Sequence, residues 1–160
     1  MDCNTCCCRY WSCSRREMAR GFDEKIKPVA AVEFLKKEHL KGNMYNEYEF
    51  GDYIIYGAYP RYRVFIDGRA DMYGTERMKE YFKVAYIRPG WDKVLEKYNI
   101  EWIIFNTDST LSQLLLERKE WRLIYSDKVA NIFLKDAPEH QNLFKKYGTV
   151  KPAIVEDRDD

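Results

Sequence analysis

The stretch Arg61–Gly74, reading R-Y-R-V-F-I-D-G-R-A-D-M-Y-G, constrains the fold of this chain more than any other. Val64, Phe65 and Ile66 form a short apolar run between turn-forming neighbours, the pattern of a strand buried on both faces. Asp67-Gly68 ends the run, and a helical pattern begins at Thr75. The loop between them should therefore lie at the carboxyl end of a strand, where open α/β sheets bind their ligands. It concentrates Asp67, Arg69, Asp71 and Tyr73 within a few residues.

The flanking chain supplies further elements. Pro28 suits a first helical turn, and Val29, Val32, Phe34, Leu35 and Leu40 approximate one apolar stripe up to Gly42. Lys41–Tyr45 reads as a short strand, and Glu47–Tyr59 as a helix linking it to a parallel neighbour. Thr75–Tyr86 and Trp91–Tyr98 read as helices, and Trp102–Phe105 (W-I-I-F) as a second buried strand. Ser109 or Asp108 can cap the helix carrying Leu111, Leu114 and Leu115. Trp121–Tyr125 and Val129–Leu134 flank Ser126-Asp127-Lys128 as a β-hairpin, and Pro138 opens a last helix. This order predicts a three-layer, Rossmann-like α/β domain. Its sheet should be mostly parallel, with an antiparallel hairpin at one edge and Val64–Ile66 near Trp102–Phe105 at its centre.

A chain of 160 residues, 46% hydrophobic and 16% aromatic, can bury one real core without staples. Its 27 basic and 26 acidic side chains nearly cancel, so no global charge draws it to nucleic acid or an anionic membrane. No run approaches the 18 or so apolar residues of a membrane span, and the chain as given reads as soluble. The predicted organisation is a cysteine-rich, charged leader over residues 1–27, an α/β domain over 28–147 and a polar tail over 148–160. Cys3, Cys6, Cys7, Cys8 and Cys13 all lie in the leader. Cys3-x-x-Cys6 has the spacing of half a zinc knuckle, but the second half is missing, and no structural zinc is expected. The leader reads instead as a disordered or non-native segment, with Met18 an alternative start.

Asp67 and Asp71 are the one close carboxylate pair at a strand end, and such a pair suits a hard divalent cation with a phosphate. Their spacing of four matches no D-x-D pattern, and Arg69 between them opposes a cation. A structural reading is preferred: Asp67 accepts turn N–H groups while Arg69 pairs with a carboxylate. Tyr45, Asn46 and Tyr48, in Y-N-E-Y, should reach the same sheet edge. They suit a sugar-binding surface, where rings stack and amides orient, or simple packing with wet hydroxyls. His39 and His140 each sit in a charged, solvated helix pattern. There is no nucleophile elbow, no P-loop and no dinucleotide fingerprint. No catalytic residue, metal ligand or cofactor is assigned.

Four phrases in order carry a family resemblance. They are P-V-A-A-V-E-F-L, N-M-Y-N-E-Y-E-F-G-D-Y-I-I-Y, Y-P-R-Y-R-V-F-I-D-G-R-A-D-M-Y-G and P-G-W-D-K-V-L-E-K-Y-N-I-E-W-I-I-F. Over about residues 28–135 the chain resembles the C-terminal soluble domain of bacterial and archaeal polytopic membrane proteins of the dolichyl-phosphate-mannose mannosyltransferase type. The resemblance implies an extracytoplasmic accessory domain that binds glycan or acceptor, or docks on the membrane-embedded part of its parent. It places the catalytic acid and lipid-phosphate donor site in that membrane part, so this chain is not expected to transfer sugar alone. Asp52 stands where the family pattern has a second glycine, which puts a close backbone approach there in question. Two alternatives from the residues alone are a metal-dependent phosphotransfer or sugar-nucleotide enzyme using Asp67 and Asp71, and a protein-interaction module. Tyr45, Asn46, Tyr48, Asp67, Arg69, Asp71 and Tyr73 are the candidate ligand-binding residues.

Overall fold

The computed structural model describes residues 23–153. The expectations about the cysteine leader and the end of the tail fall outside these residues. The chain runs through α1 (Val29–Glu38), β1 (Asn43–Asn46), a 3₁₀ turn (Tyr48–Phe50) and α2 (Gly51–Ala58). After the Arg61–Arg69 segment come α3 (Ala70–Ala85), α4 (Trp91–Lys97), β2 (Ile100–Asn106) and α5 (Thr110–Glu117). The hairpin strands β3 (Trp121–Ser126) and β4 (Ala130–Lys135), a second 3₁₀ turn (Pro138–His140) and α6 (Gln141–Tyr147) complete it.

The sheet has four strands in the order β1-β2-β4-β3. Only β1 and β2 are parallel; β2–β4 and β4–β3 are antiparallel. The fold is therefore α/β with a mixed sheet, and the expected mostly parallel, Rossmann-like sheet is incorrect. The hairpin is half of the sheet, because its second strand, β4, pairs directly with β2. A short hairpin loop imposes antiparallel pairing, whereas each further parallel pair would need another helical crossover.

Alternation along the strands divides the core in two. Met44, Trp102, Ile104, Ile124, Ile132 and Leu134 meet α1, α2 and Phe144 of α6 on one face. Tyr45, Ile103, Phe105 and Phe133 meet α3, α4 and α5 on the other. The connection between the parallel strands thus carries α2 on one face and α3 and α4 on the other. It must pass round the open edge of β1.

Val64–Ile66 makes that passage. It is no strand, although Phe65 and Ile66 are buried, and this corrects the central-strand expectation. A segment rounding a sheet edge is covered on all sides, as a central strand is. The two give the same apolar run in one dimension.

Local chemistry sets the element ends. The Ser109 hydroxyl caps α5, accepting from the Ser112 N–H at 3.1 Å. The helix expected to start at Thr75 has an extra turn before it, from Ala70, broken at Gly74, whose φ of 75° a side chain would oppose. Asp71 and Tyr73, expected in a loop, lie in that extra turn.

Candidate functional site

The site is built where β1 ends, and Asn46 organises it. Asn46 is fully buried, and its side chain takes the place of a neighbouring strand. Its Oδ1 accepts from the Phe65 N–H at 2.7 Å and the Ile66 N–H at 3.4 Å. Its Nδ2 donates to the Ile66 carbonyl and to the Glu47 carbonyl, both at 2.8 Å. The Phe65 carbonyl accepts from Nε of Arg77 at 3.3 Å, whose guanidinium lies over the Phe65 ring, 4.2 Å from its centroid. A carboxamide has the donor and acceptor of a peptide group, so it satisfies buried backbone that lacks a ladder.

Asp67 follows at once and is also fully buried. Its Oδ1 accepts from the Arg69 backbone N–H at 2.9 Å and from Nε at 3.1 Å. Its Oδ2 accepts from Arg69 Nη2 at 2.6 Å and from the Tyr73 hydroxyl at 2.9 Å. The Arg69 guanidinium, with further hydrogen bonds, holds the Asp67 carboxyl below the usual carboxylate range against the opposing effect of burial. Burial and then the Asp67 hydrogen bond push the Tyr73 hydroxyl up. The carboxylate is thus already fully engaged, which suits fixing a loop better than holding a cation.

Gly51, the first residue of α2, presses on this segment. A Cβ there would lie 2.2 Å from the Ile66 carbonyl oxygen and 2.7 Å from Cα of Asp67. The close backbone approach questioned above is therefore made by Gly51. Asp52 serves it differently, its Oδ1 accepting the Gly68 N–H at 3.2 Å.

The seven candidate residues fall into two groups. Tyr45, Asn46 and Asp67 are buried and support the site from behind, with the Tyr45 hydroxyl donating to the Tyr81 carbonyl at 2.9 Å. Arg69 and Asp71 are exposed, while Tyr48 and Tyr73 are half-buried. The Tyr48 hydroxyl donates to the Gly68 carbonyl at 3.3 Å and so ties the β1 end to the Asp67 loop.

On its other side, Tyr48 borders a cleft of about 630 Å³ lined also by Glu47, Tyr81, Phe82, Tyr86 and Ser109. It opens at the carboxyl ends of the two parallel strands, where β1 leads to Glu47 and β2 to Ser109. Glu47 is not among the seven residues expected at the site. Its Oε1 accepts from the Tyr48 N–H at 3.0 Å and the Tyr81 hydroxyl at 2.9 Å, and burial raises its pKa despite those bonds. The Tyr81 hydroxyl is itself pushed well up, first by burial and then by the Glu47 charge. The signal in the sequence was position: Glu47 directly follows a strand that ends at the expected ligand-binding edge.

The arrangement can do three things chemically. It offers aromatic faces for stacking, a guanidinium and a protonatable carboxyl for hydrogen bonding, and a loop held rigid from beneath. Ser109, at the cleft, donates its hydroxyl to the Asn106 carbonyl at 2.7 Å and not to a general base.

No protein-family model matches the chain, and no curated protein matches it. Among solved structures, it resembles the C-terminal globular domain of the oligosaccharyltransferase AglB-S2 from Archaeoglobus fulgidus. The match has a TM-score of 0.51 at 12% sequence identity and covers 68% of this chain and 95% of that one. At that identity the two share a fold. The α/β architecture is thus one also found as a C-terminal domain of a sugar-transferring enzyme. Among the described residues, no helix is long and apolar enough to cross a membrane.

Proposed function

We propose that this chain is a non-catalytic accessory domain of a glycosyltransferase-like membrane protein, lying on the extracytoplasmic side and binding the glycan or acceptor. The observation that carries the reading is the shared fold with an oligosaccharyltransferase domain, joined to a cleft at the carboxyl ends of the parallel strands. The sequence resemblance supplies the membrane-protein setting. Tyr48, Arg69, Asp71 and Tyr73 form the contacting surface, while Tyr45, Asn46 and Asp67 hold it in shape. Sugar rings present an apolar face that stacks on aromatic side chains and hydroxyls that bond to charged groups, and this surface offers both.

The test is titration of the isotopically labelled chain with neutral and acidic oligosaccharides, followed by amide chemical shifts. Shifts should concentrate at residues 47–49, 68–73 and 107–110. Tyr48→Ala should weaken binding about tenfold, on the order of 1.4 kcal/mol, while the fold stays intact by circular dichroism. Shifts confined to other surfaces, or binding indifferent to Tyr48→Ala, would remove the assignment of this cleft.

A further inference from the structure

A second cluster lies away from that cleft, at the opposite end of β2. The β1–β2 register steps from Asn43↔Ile100 to Met44↔Trp102, leaving Glu101 as an extra residue on β2. Such a bulge re-aims the side chain it carries. Gly42, with φ of 85°, makes room for it: a Cβ there would lie 2.3 Å from Cγ of Glu101. Trp102, the next residue, pairs with Leu134 of β4, and the chain leaves β4 through Lys135 towards the Pro138–His140 turn.

His140, expected on a solvated helix face, is only 7% exposed. Its Nδ1 bonds the Lys135 carbonyl oxygen at 2.9 Å. A carbonyl only accepts, so Nδ1 carries the proton, and in the neutral ring the lone pair is then on Nε2. Among the described residues no hydrogen bond engages Nε2, so that nitrogen of a largely buried ring is open to a ligand. A ring nitrogen of His140 and one carboxylate oxygen each of Glu101 and Glu139 lie within 4.8 Å of one another. Neither carboxylate forms an ion pair among the described residues.

We propose that Glu101, Glu139 and His140 bind a divalent first-row transition cation of the zinc class. Two carboxylate oxygens and an imidazole nitrogen gathered within reach of one another form the donor set of a cation, and among the described residues no lysine or arginine is paired with either carboxylate. The donor set, one nitrogen and two oxygens, suits Zn²⁺ or Co²⁺ better than the all-oxygen shell that Ca²⁺ and Mg²⁺ prefer. The Lys135 carbonyl orients the ring as outer partners orient metal-binding histidines. Ligand atoms about 2.0–2.2 Å from zinc stand closer together than 4.8 Å. Glu139 is exposed and can swing inward to close the set. Three protein ligands leave a fourth position for water or a ligand oxygen. The cation would clasp the bulge of β2 to the turn after β4.

The test uses the full chain with Cys3, Cys6, Cys7, Cys8 and Cys13 all changed to serine, so that thiolates cannot supply the signal. Co²⁺ titration should give visible d–d absorption saturating at one equivalent, displaced by Zn²⁺ and untouched by excess Ca²⁺. His140→Gln and Glu139→Gln should each weaken Co²⁺ binding by about tenfold or more. Glu139 is exposed, so its variant keeps the fold, which circular dichroism verifies. No saturable band in the cysteine-free chain, or a band of equal affinity in the folded Glu139→Gln variant, overturns the proposal.

Discussion

Asn46 and Asn131 are both fully buried asparagines, and they are used in opposite ways. Asn46 ends β1 and spends both ends of its carboxamide on backbone groups. Asn131 lies inside the sheet in β4, opposite Phe105 and Ser126. Its Oδ1 accepts from the Ser126 hydroxyl at 2.6 Å and the Thr107 hydroxyl at 3.4 Å, while its Nδ2 has no partner among the described residues. The partners of Asn46 are peptide groups fixed in place with no strand beside them. Those of Asn131 are hydroxyls that can rotate to other acceptors, as Thr107 already does towards the Asp127 carbonyl at 2.8 Å. The same side chain is indispensable where its partners have nowhere else to turn.

The contrast is sharpest in stability. Asn46→Leu should orphan the Phe65 and Ile66 N–H groups and the Ile66 carbonyl, costing on the order of 3–5 kcal/mol by urea denaturation. A loss of that size is a large part of a domain's total. A cost under about 1 kcal/mol would mean that the edge passage is held by packing alone.

Asp67→Ala comes next, at about 2–4 kcal/mol, because it removes the anchor of the loop that Asn46 positions and leaves Arg69 and Tyr73 without their acceptor. Its acid behaviour adds a second readout. Asp67 titrates below its ordinary value, so the stability it contributes is complete above about pH 3.9. That stability is lost as the pH falls through the lower folded value. Asp67→Asn should therefore flatten the acid limb of the stability profile below that pH. An unchanged limb would show that the Arg69 pair carries no net stability.

Asn131→Ala should cost about 1 kcal/mol or less, since losing one acceptor is offset by removing an unsatisfied donor. A cost matching that of Asn46→Leu would break the comparison.

Glu47→Gln should move stability least and in the opposite pH sense to Asp67. Burial raises the Glu47 pKa above the unfolded value of about 4.3, so its protonated form favours folding. That advantage is complete below the unfolded value and disappears as the pH rises through the folded one. The Gln variant keeps an oxygen for Tyr48 and Tyr81 and should show no such decline. Thermal melts from pH 4 upward compare the two slopes; identical slopes would mean that Glu47 is solvated like a surface carboxylate.

Much of the chain was legible because its chemistry is local. The W-I-I-F run is a strand with alternate side chains in the two cores, Ser109 caps the helix that follows, and Ser126-Asp127-Lys128 joins a hairpin. The fork between Arg69 and a neighbouring carboxylate was also expected, because residues two apart in a tight loop meet without help from the rest of the fold.

Other features depend on contacts between segments far apart in the chain. His140 lost its solvated surroundings because its ring folds back under the end of β4. Glu47 became a cleft residue because Tyr81, from α3, covers it.

The sequence by itself determined where apolar runs begin and stop, since burial and turn chemistry are written into neighbouring residues. Only the tertiary structure decided that Val64–Ile66 rounds the sheet edge instead of joining it. The same decision made Asn46 the substitute for the missing strand. An apolar triplet records that it is buried, but which backbone groups satisfy its own depends on what the rest of the chain brings alongside.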